Sequence, residues 1–314
     1  MKPVTTANPP IDLWLDRDDA PQHIDSMLLS HLITPDEAEK LLFFREQGYV
    51  ILPKAVCEKK IDQLIDDLSR LWLEGEKYVL KLGKDLVIHP ESSVLPHRSR
   101  LYDFYVHNET CRAMIFSAQL QRILALIFQE PPLVFQSMVF TWGSEQSIHK
   151  DTAFVVIDKP CTLAASWIAL EDIEPGSGEL MYYPGSHRDP VFLFDGEHMF
   201  WEPKRDGKGI HRRYSEFLDS QAIKKGVPIQ TFCARKGDVL IWHANLAHGG
   251  MPVAHQTSTR MSLVSHYCPV SAQPRYFQFF KEAAKCPAGD NAFYSSRRYD
   301  LRPESKNIYP VFMG

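Results

Sequence analysis

The second half of the chain is a succession of short apolar runs, and this succession limits the fold more than any other feature of the sequence. From Leu133 onward, segments rich in β-branched and aromatic residues are separated by Gly, Pro, Asp and Ser: LVFQSMVFTW, FVVI, LAASWIAL, LMYYP, VLIW and RMSLVSHY. Runs of this length and composition predict strands. We therefore expect an all-β sandwich or barrel rather than a parallel sheet built from βαβ units.

Helices are predicted before these strands, so the expected fold class is mainly β with flanking helices. Thr34 is suited to cap a helix, Pro35 fits its first position, and Glu37 completes a capping box. Gly48 is a suitable stop for this helix, and YVIL at 49–52 follows as a strand. Two more helices are predicted, one over 117–128 and one where apolar residues recur at helical spacing: Ile61, Leu64, Ile65, Leu68 and Trp72.

Composition divides the chain into stretches of different character. Residues 1–30 carry two Lys/Arg against five Asp, and we expect a loose N-terminal arm. Residues 31–270 form the expected β domain, within which the polar but aromatic segment 188–227 is typical of a lid insertion. Residues 271–314 contain seven Lys/Arg, four Asp/Glu and many aromatic residues. We expect this C-terminal extension to pack on the barrel or on a partner subunit.

Charge and hydropathy exclude several classes of protein. The chain has 35 Lys/Arg and 39 Asp/Glu, and this near balance argues against a nucleic-acid partner. No apolar run approaches the roughly 20 residues of a membrane helix, so we expect no membrane partner. The N-terminus has no apolar signal core, and none of the six cysteines forms a C-x-x-C pair. These features predict a cytoplasmic protein with neither a zinc finger nor a disulfide scaffold.

A set of metal ligands is suggested by His149-Lys150-Asp151 together with the distant His248. On a strand, residues two apart project to the same face, so an imidazole and a carboxylate would converge. Two histidines and one carboxylate form the facial triad of non-haem Fe(II) oxygenases, which leaves three positions open on an octahedral metal. The plainer interpretations are a His–Asp hydrogen bond at a strand end and a loop histidine at 248.

Arg260 stands twelve residues after His248, within a run that otherwise reads as a core strand. A buried guanidinium is costly unless it meets an anion, and arginine binds carboxylates through two parallel hydrogen bonds. It therefore suits the far carboxylate of a bidentate 2-oxo acid that occupies two of the open metal positions. A structural salt bridge with an acidic side chain is the alternative.

The sequence resembles the phytanoyl-CoA dioxygenase family of Fe(II)/2-oxoglutarate-dependent oxygenases over about residues 31–268. The resemblance lies in five segments: FFREQGYVILPKAV, HKD at 149–151, SWIALEDIEPGSGELMYYPGSH at 166–187, KGDVLIWHANLAHGG and STRMSLVSHY. It implies a double-stranded β-helix, a jelly-roll or cupin-like barrel with helices packed outside.

The resemblance also implies a ligand set and a reaction. His149, Asp151 and His248 would bind Fe(II), and Arg260 would hold the distal carboxylate of 2-oxoglutarate. Trp167 and Gln136 stand where family members place side chains that contact this co-substrate. The implied enzyme uses 2-oxoglutarate and O2, forms succinate and CO2, and hydroxylates a small-molecule substrate. Its oligomeric state stays open, with the aromatic tail compatible with a homo-oligomer.

Several alternatives remain at this stage. His187 is interpreted as structural, and His243 is the main competing metal ligand although it would face away on a regular strand. Asp151 is present, whereas related halogenases have a small residue there, so the resemblance favours hydroxylation or another oxidation. Gly143 followed by His149 is similar to a cupin signature, which leaves a metal-dependent isomerase or lyase open. A non-catalytic binding protein on an oxygenase barrel is the third alternative.

Overall fold

The structure is a computed structural model that describes residues 4–74, 79–82, 85–88, 99–207, 209–278 and 284–301. Its helices are α1 (Ala20–Leu29), α2 (Pro35–Gln47), α3 (Glu58–Glu74), α4 (Glu109–Ile115), α5 (Ala118–Phe128), α6 (Pro203–Asp206) and α7 (Ile210–Lys225). Its strands are β1 (Thr6–Ala7), β2 (Tyr49–Leu52), β3 (Val79–Leu82), β4 (Asp85–Ile88), β5 (Ser99–Tyr102), β6 (Pro132–Phe140), β7 (Ala164–Ala169), β8 (Leu180–Tyr182), β9 (Val191–Phe192), β10 (Gln230–Phe232), β11 (Val239–His243), β12 (His248–Gly250), β13 (Ser262–Pro269), β14 (Cys286–Pro287) and β15 (Phe293–Tyr294).

Two antiparallel sheets face each other and form the predicted jelly-roll architecture. The major sheet has the strand order β2-β11-β7-β13-β6-β5-β3-β4, and β15 joins it as a parallel neighbour of β6. The minor sheet has the order β10-β8-β12. Side chains from both sheets meet in one buried cluster, so the two sheets enclose a common interior without closing into a continuous barrel.

The register of the major sheet decides which side chains reach this interior. Trp167 on β7 lies opposite Leu240 on β11 and Val264 on β13, and all three pack between the sheets. The neighbouring residue Ile168 belongs to the outer core, against the helices. Because successive strand residues point to opposite faces, these strands are buried on both sides. This explains why they read as continuous apolar runs.

Helices α1 to α5 cover the outer face of the major sheet, as predicted. The capping box of α2 is present, with Glu37 N–H donating to Thr34 Oγ1 at 3.2 Å and Thr34 N–H donating to Glu37 Oε2 at 2.8 Å. Gly48 ends α2 in the left-handed conformation with φ of 76°. The helices predicted around 61–72 and 117–128 correspond to α3 and α5.

The expectation of a loose N-terminal arm is wrong for residues 13–29. Leu15 and Ile24 are fully buried, and the Trp14 indole donates to the Leu126 carbonyl at 3.1 Å. The acidic residues of this segment suggested solvent exposure, but most of its apolar residues pack against the helices of the outer core. Packing of a few apolar side chains therefore outweighs the polar composition.

Segment 188–227 is a packed unit, not an extended loop. Strand β9 pairs with β1, and α7 contributes Tyr214 and Phe217 to an aromatic cluster with Phe192 and Phe194. The Tyr214 hydroxyl accepts a hydrogen bond from Lys150 N–H at 3.0 Å, which joins this unit to the predicted metal-ligand segment. Its role as a lid stays a prediction.

No single helix in the described part of the chain is long and apolar enough to span a membrane. Helices α4 and α5 together meet the length and composition of a span only as a pair bent by 53°.

The turn into β11 generates a stability prediction. Gly237 has φ of 90°, and an added Cβ would lie 2.5 Å from the Val56 carbonyl oxygen. We expect Gly237→Ala to lower the free energy of unfolding by about 2–5 kcal/mol, because left-handed strain and a backbone clash add. Urea unfolding measures this change.

Gly226→Ala is the matched control. Gly226 ends α7 with φ of 67°, but an added Cβ there would meet nothing within 4 Å. Only the conformational cost of about 1–2 kcal/mol should remain. Equal losses for the two variants would contradict the steric argument.

Candidate metal centre

A two-residue backbone bridge brings the first and last predicted ligands together. His149 N–H donates to the His248 carbonyl at 2.8 Å, and His248 N–H donates to the His149 carbonyl at 2.8 Å. Strand β12, which carries His248, is in turn paired with β8 in the minor sheet. The two imidazole centroids consequently lie 4.4 Å apart.

Asp151 reaches the same point by a route that the sequence did not predict. The expected strand through 149–151 is wrong, because the chain turns into a short 3-10 helix, Asp151–Ala153, directly after the bridge. Asp151 Oδ1 lies 4.0 Å from His149 Nε2 and 3.7 Å from His248 Nε2. The three prospective ligand atoms are within 4.8 Å of one another, and all three residues are buried.

Hydrogen bonds on the far side of each ring prepare the two imidazoles for metal binding. His149 Nδ1 lies 2.9 Å from the Ser147 carbonyl oxygen, and His248 Nδ1 lies 2.9 Å from the Leu246 carbonyl oxygen. A carbonyl oxygen only accepts, so each Nδ1 carries the proton and each Nε2 presents its lone pair. Metal-bound histidines are commonly oriented in this way.

The protonation states also suit a cation. Burial, and then the proximity of His248, lowers the pKa of His149 to about 3, so its imidazole is neutral near pH 7. Burial acts to raise the pKa of Asp151, but interactions with His248 and His266 outweigh it and the pKa is lowered. Two histidine nitrogens and one carboxylate are the donor set of a facial triad, which leaves open positions on iron.

The second carboxylate oxygen of Asp151, Oδ2, is held by a tryptophan on β11. Trp242 Nε1–H donates to Asp151 Oδ2 at 2.8 Å. Oδ1 is thereby left to face His149 and His248. The carboxylate is oriented to offer one oxygen rather than two.

His266 is a further residue of this centre, and the sequence analysis did not single it out. Its Nε2 lies 3.5 Å from Asp151 Oδ1, the ring is buried, and its Nδ1 has no hydrogen-bond partner in the part of the chain that the structure describes. Its position on β13 is the signal that could have found it. Residues two apart on a strand project to the same face, so His266 points into the interior between the sheets, as Val264 does.

The other histidines that the sequence analysis considered lie outside the predicted metal-ligand group. His243 Nε2 faces Asp16 Oδ2 at 3.3 Å, and His187 Nε2 lies 3.0 Å from the Arg45 carbonyl oxygen. His243 is at the end of β11, next to Trp242, which points into the interior. Neither belongs to the His149, Asp151 and His248 group.

A cavity of about 190 Å³ adjoins the centre and contains the remaining predicted residues. Arg260, Trp167 and Gln136 all line it. The expectation that Arg260 sits within a strand is wrong by two residues, since β13 begins at Ser262. Its guanidinium nevertheless lies over the rings of Phe140 and Trp167, at 5.3 and 5.6 Å from their centroids.

Arg260 is buried without a carboxylate partner among the described residues. Nη1 donates to Ser262 Oγ at 2.7 Å, whereas Nε has no hydrogen-bond partner among the residues that the structure describes. Burial, and then Arg100, lowers the pKa of Arg260 to about 10, because Glu171 and Glu179 act too weakly to compensate. Arg100, which the sequence analysis missed, lies over the same Phe140 ring at 5.2 Å. Two guanidinium groups at one wall form a site for an anion.

A family model described as phytanoyl-CoA dioxygenase matches residues 44–261. The chain is 25% identical over 193 residues to phytanoyl-CoA dioxygenase domain-containing protein 1 of Mus musculus, covering 60% of this chain and 62% of that protein. It is 22% identical over 261 residues to the peroxisomal phytanoyl-CoA dioxygenase of Mus musculus, covering 79% and 72%. The match thus spans less than two thirds of the first of these relatives.

Solved structures share the fold. EctD from S. alaskensis, crystallised with 2-oxoglutarate and 5-hydroxyectoine, has a TM-score of 0.59 at 17% identity, covering 86% of this chain and 85% of that chain. The epimerase SnoN, in complex with Fe3+, alpha ketoglutarate and nogalamycin RO, has a TM-score of 0.55 at 18% identity, covering 85% and 99%. These similarities establish the jelly-roll fold of the chain.

The Trp242–Asp151 hydrogen bond generates a prediction for metal binding. Trp242→Phe removes the indole N–H but retains an aromatic ring, so Asp151 is free to rotate. We expect Fe(II) affinity, measured anaerobically by calorimetry, to fall by about 10–100-fold. Trp14→Phe is the control, because it removes an indole hydrogen bond to the Leu126 carbonyl outside the centre. An unchanged Fe(II) affinity in Trp242→Phe would refute the orienting role.

Proposed function

Because this chain belongs to the phytanoyl-CoA dioxygenase family, we propose that it is an Fe(II)/2-oxoglutarate-dependent dioxygenase that hydroxylates an unactivated C–H bond of a small molecule. The observation that carries the proposal is the presence, in one cavity, of the His149, Asp151 and His248 cluster and of the Arg260 guanidinium, which has no carboxylate partner among the described residues. A metal ion would bind to the cluster, and a carboxylate co-substrate would pair with the guanidinium.

In the proposed enzyme, His149, Asp151 and His248 hold Fe(II). When bound, Fe(II) with 2-oxoglutarate and O2 supplies the oxidant, as the co-substrate is converted to succinate and CO2 and one oxygen atom enters the substrate. The protein contributes orientation of the three ligands, through the Ser147 and Leu246 carbonyls and the Trp242 indole. It also limits the access of water, because the ligand residues are buried.

The arginine wall binds the co-substrate in this proposal. Arg260 pairs with the distal carboxylate of 2-oxoglutarate, and Arg100 adds positive charge at the same wall. Trp167 stacks beneath the Arg260 guanidinium and confines it, and the Gln136 amide is available to the bound co-substrate. Burial in the low-dielectric interior strengthens the attraction between these charges.

Known proteins of the same fold support the co-substrates but differ in outcome. SnoN was crystallised with iron and alpha ketoglutarate and is described as an epimerase, and SnoK as a carbocyclase. Hydroxylation is the outcome we propose, since Asp151 occupies the position that halogenases leave open for chloride.

Segment 188–227 is proposed to shield the centre from solvent. The Phe154 ring lies 5.7 Å from that of His149 and stacks on His211 of α7 at 5.5 Å, while Trp201 lies 4.4 Å from His211. These rings form a wall beside the metal ligands that movement of the segment would open.

The β domain of 31–270 and its C-terminal extension would work as one unit. The cysteines of the described residues are all unpaired, which suits the proposed cytoplasmic setting.

Removal of the carboxylate ligand tests the proposal directly. We expect Asp151→Ala to abolish succinate formation in the presence of substrate, because the metal loses its one anionic ligand. Succinate is measured by mass spectrometry across a metabolite panel, with 2-oxoglutarate-dependent oxygen consumption in parallel. Asp62→Ala, on the exposed face of α3, should retain wild-type rates. Wild-type turnover in Asp151→Ala would refute the ligand role, and turnover without 2-oxoglutarate would favour a cupin-type isomerase or lyase.

Arg260→Gln tests the co-substrate site. The variant keeps a polar side chain but loses the charge that faces the carboxylate, so we expect the KM for 2-oxoglutarate to rise by about 30-fold or more, as removal of a buried charge partner costs about 2–5 kcal/mol. Fe(II) affinity should change much less, because Arg260 belongs to no ligand hydrogen bond. An unchanged KM would contradict the assignment.

A further inference from the structure

The C-terminal segment outside the family match presents one arginine to the cavity. Residues 295–300 are buried except for Arg297, and Arg297 lines the cavity that contains the metal-ligand cluster. Buried Asp103 is affected by its charge, but both oxygens of that carboxylate are already occupied, by Ser137 N–H and Ser296 Oγ–H at 2.7 Å each.

The segment around Arg297 is held firmly on the barrel. Ser295 N–H donates to the Val134 carbonyl at 2.9 Å, and β15 pairs with β6 just before it. On the other side, Tyr299 Oη–H donates to the Tyr102 carbonyl at 3.3 Å. A charged side chain on such an anchored backbone binds a ligand at a reduced entropic cost.

The charges that line the cavity do not balance. Arg100, Arg260 and Arg297 contribute three positive charges against the single carboxylate of Asp151. Fe(II) and the dianion 2-oxoglutarate cancel each other, so two positive charges remain after both have bound. Arg100 and Arg260 share the wall at Phe140, and Arg260 is assigned to the co-substrate. Arg297 has an exposed side chain, so it is a cation of this cavity that stays accessible to a second anion.

We propose that Arg297 is a specificity-determining residue that binds an anionic group, a carboxylate or a phosphate, of the primary substrate. The inference rests on the proposed function, because it assigns the co-substrate to Arg260. Phe154, next to His149 and partly exposed, offers an apolar contact for the carbon skeleton of that substrate. The cavity thus selects a molecule with an apolar portion and an anionic end.

The test measures binding of matched probes to the protein loaded anaerobically with Fe(II) and saturating 2-oxoglutarate. The probes are hexanoate, hexyl phosphate and hexanamide, which share an alkyl chain, and calorimetry gives their affinities. Saturation with 2-oxoglutarate prevents the probes from occupying Arg260. The visible absorption of 2-oxoglutarate chelated to Fe(II) is recorded first, and its absence would refute the proposed function rather than the role of Arg297.

We expect at least one anionic probe to bind more tightly than hexanamide, and Arg297→Gln to weaken that probe by about 10-fold, equivalent to about 1.4 kcal/mol. Arg297→Lys should retain most of the affinity, since it keeps the charge. Arg275→Gln is the control, because Arg275 lies over the Phe200 ring and does not line the cavity. The tighter of hexanoate and hexyl phosphate identifies the anion.

Two results would overturn the proposal. One is that neither anion binds more tightly than hexanamide. The other is that Arg297→Gln weakens 2-oxoglutarate or hexanamide as much as it weakens the anion, since a merely structural role would produce a uniform loss.

Discussion

The reciprocal backbone hydrogen bonds between His149 and His248 are the constraint on which the site depends. They join two segments that are far apart in the chain and place both imidazoles on one side of a two-residue ladder. The short 3-10 helix Asp151–Ala153 comes directly after this pairing and directs the Asp151 carboxylate toward the two imidazole rings. A centre built on backbone pairing varies little in geometry, because strand pairing in the minor sheet also holds β12.

The charged side chains around this centre are buried, and burying a charge costs free energy unless it is compensated. Asp151 is kept ionised by the imidazoles and by the Trp242 indole, whereas Arg260 stays buried with only neutral partners among the described residues. Folding therefore tolerates an uncompensated cation inside the protein, a cost that a bound carboxylate would offset. The C-terminal segment brings a further positive charge to the same cavity, at the exposed side chain of Arg297.

Sequence patterns predicted the parts of the fold that depend on local chemistry. The capping box at Thr34, the helical spacing of Ile61 to Leu68 and the strand at 49–52 all rest on neighbours within a few residues. The packed 13–29 segment was missed, because its burial depends on helices contributed by later residues. Arg100 and His266 were missed for a related reason, since each is an ordinary residue of its segment until the strands are aligned side by side.

Residue types alone identify the chemistry of the proposed centre: two histidines, one aspartate and an arginine with no acidic neighbour in its own run. How these residues meet depends on the folded chain, which brings Asp151 in from a 3-10 turn and not from a strand and adds further side chains beside them. The physical reason is that residue types are fixed locally, whereas the approach of His248, His266 and Arg297 depends on strand register and on a tail packed against β6. Pairing between distant segments leaves little trace in either segment alone.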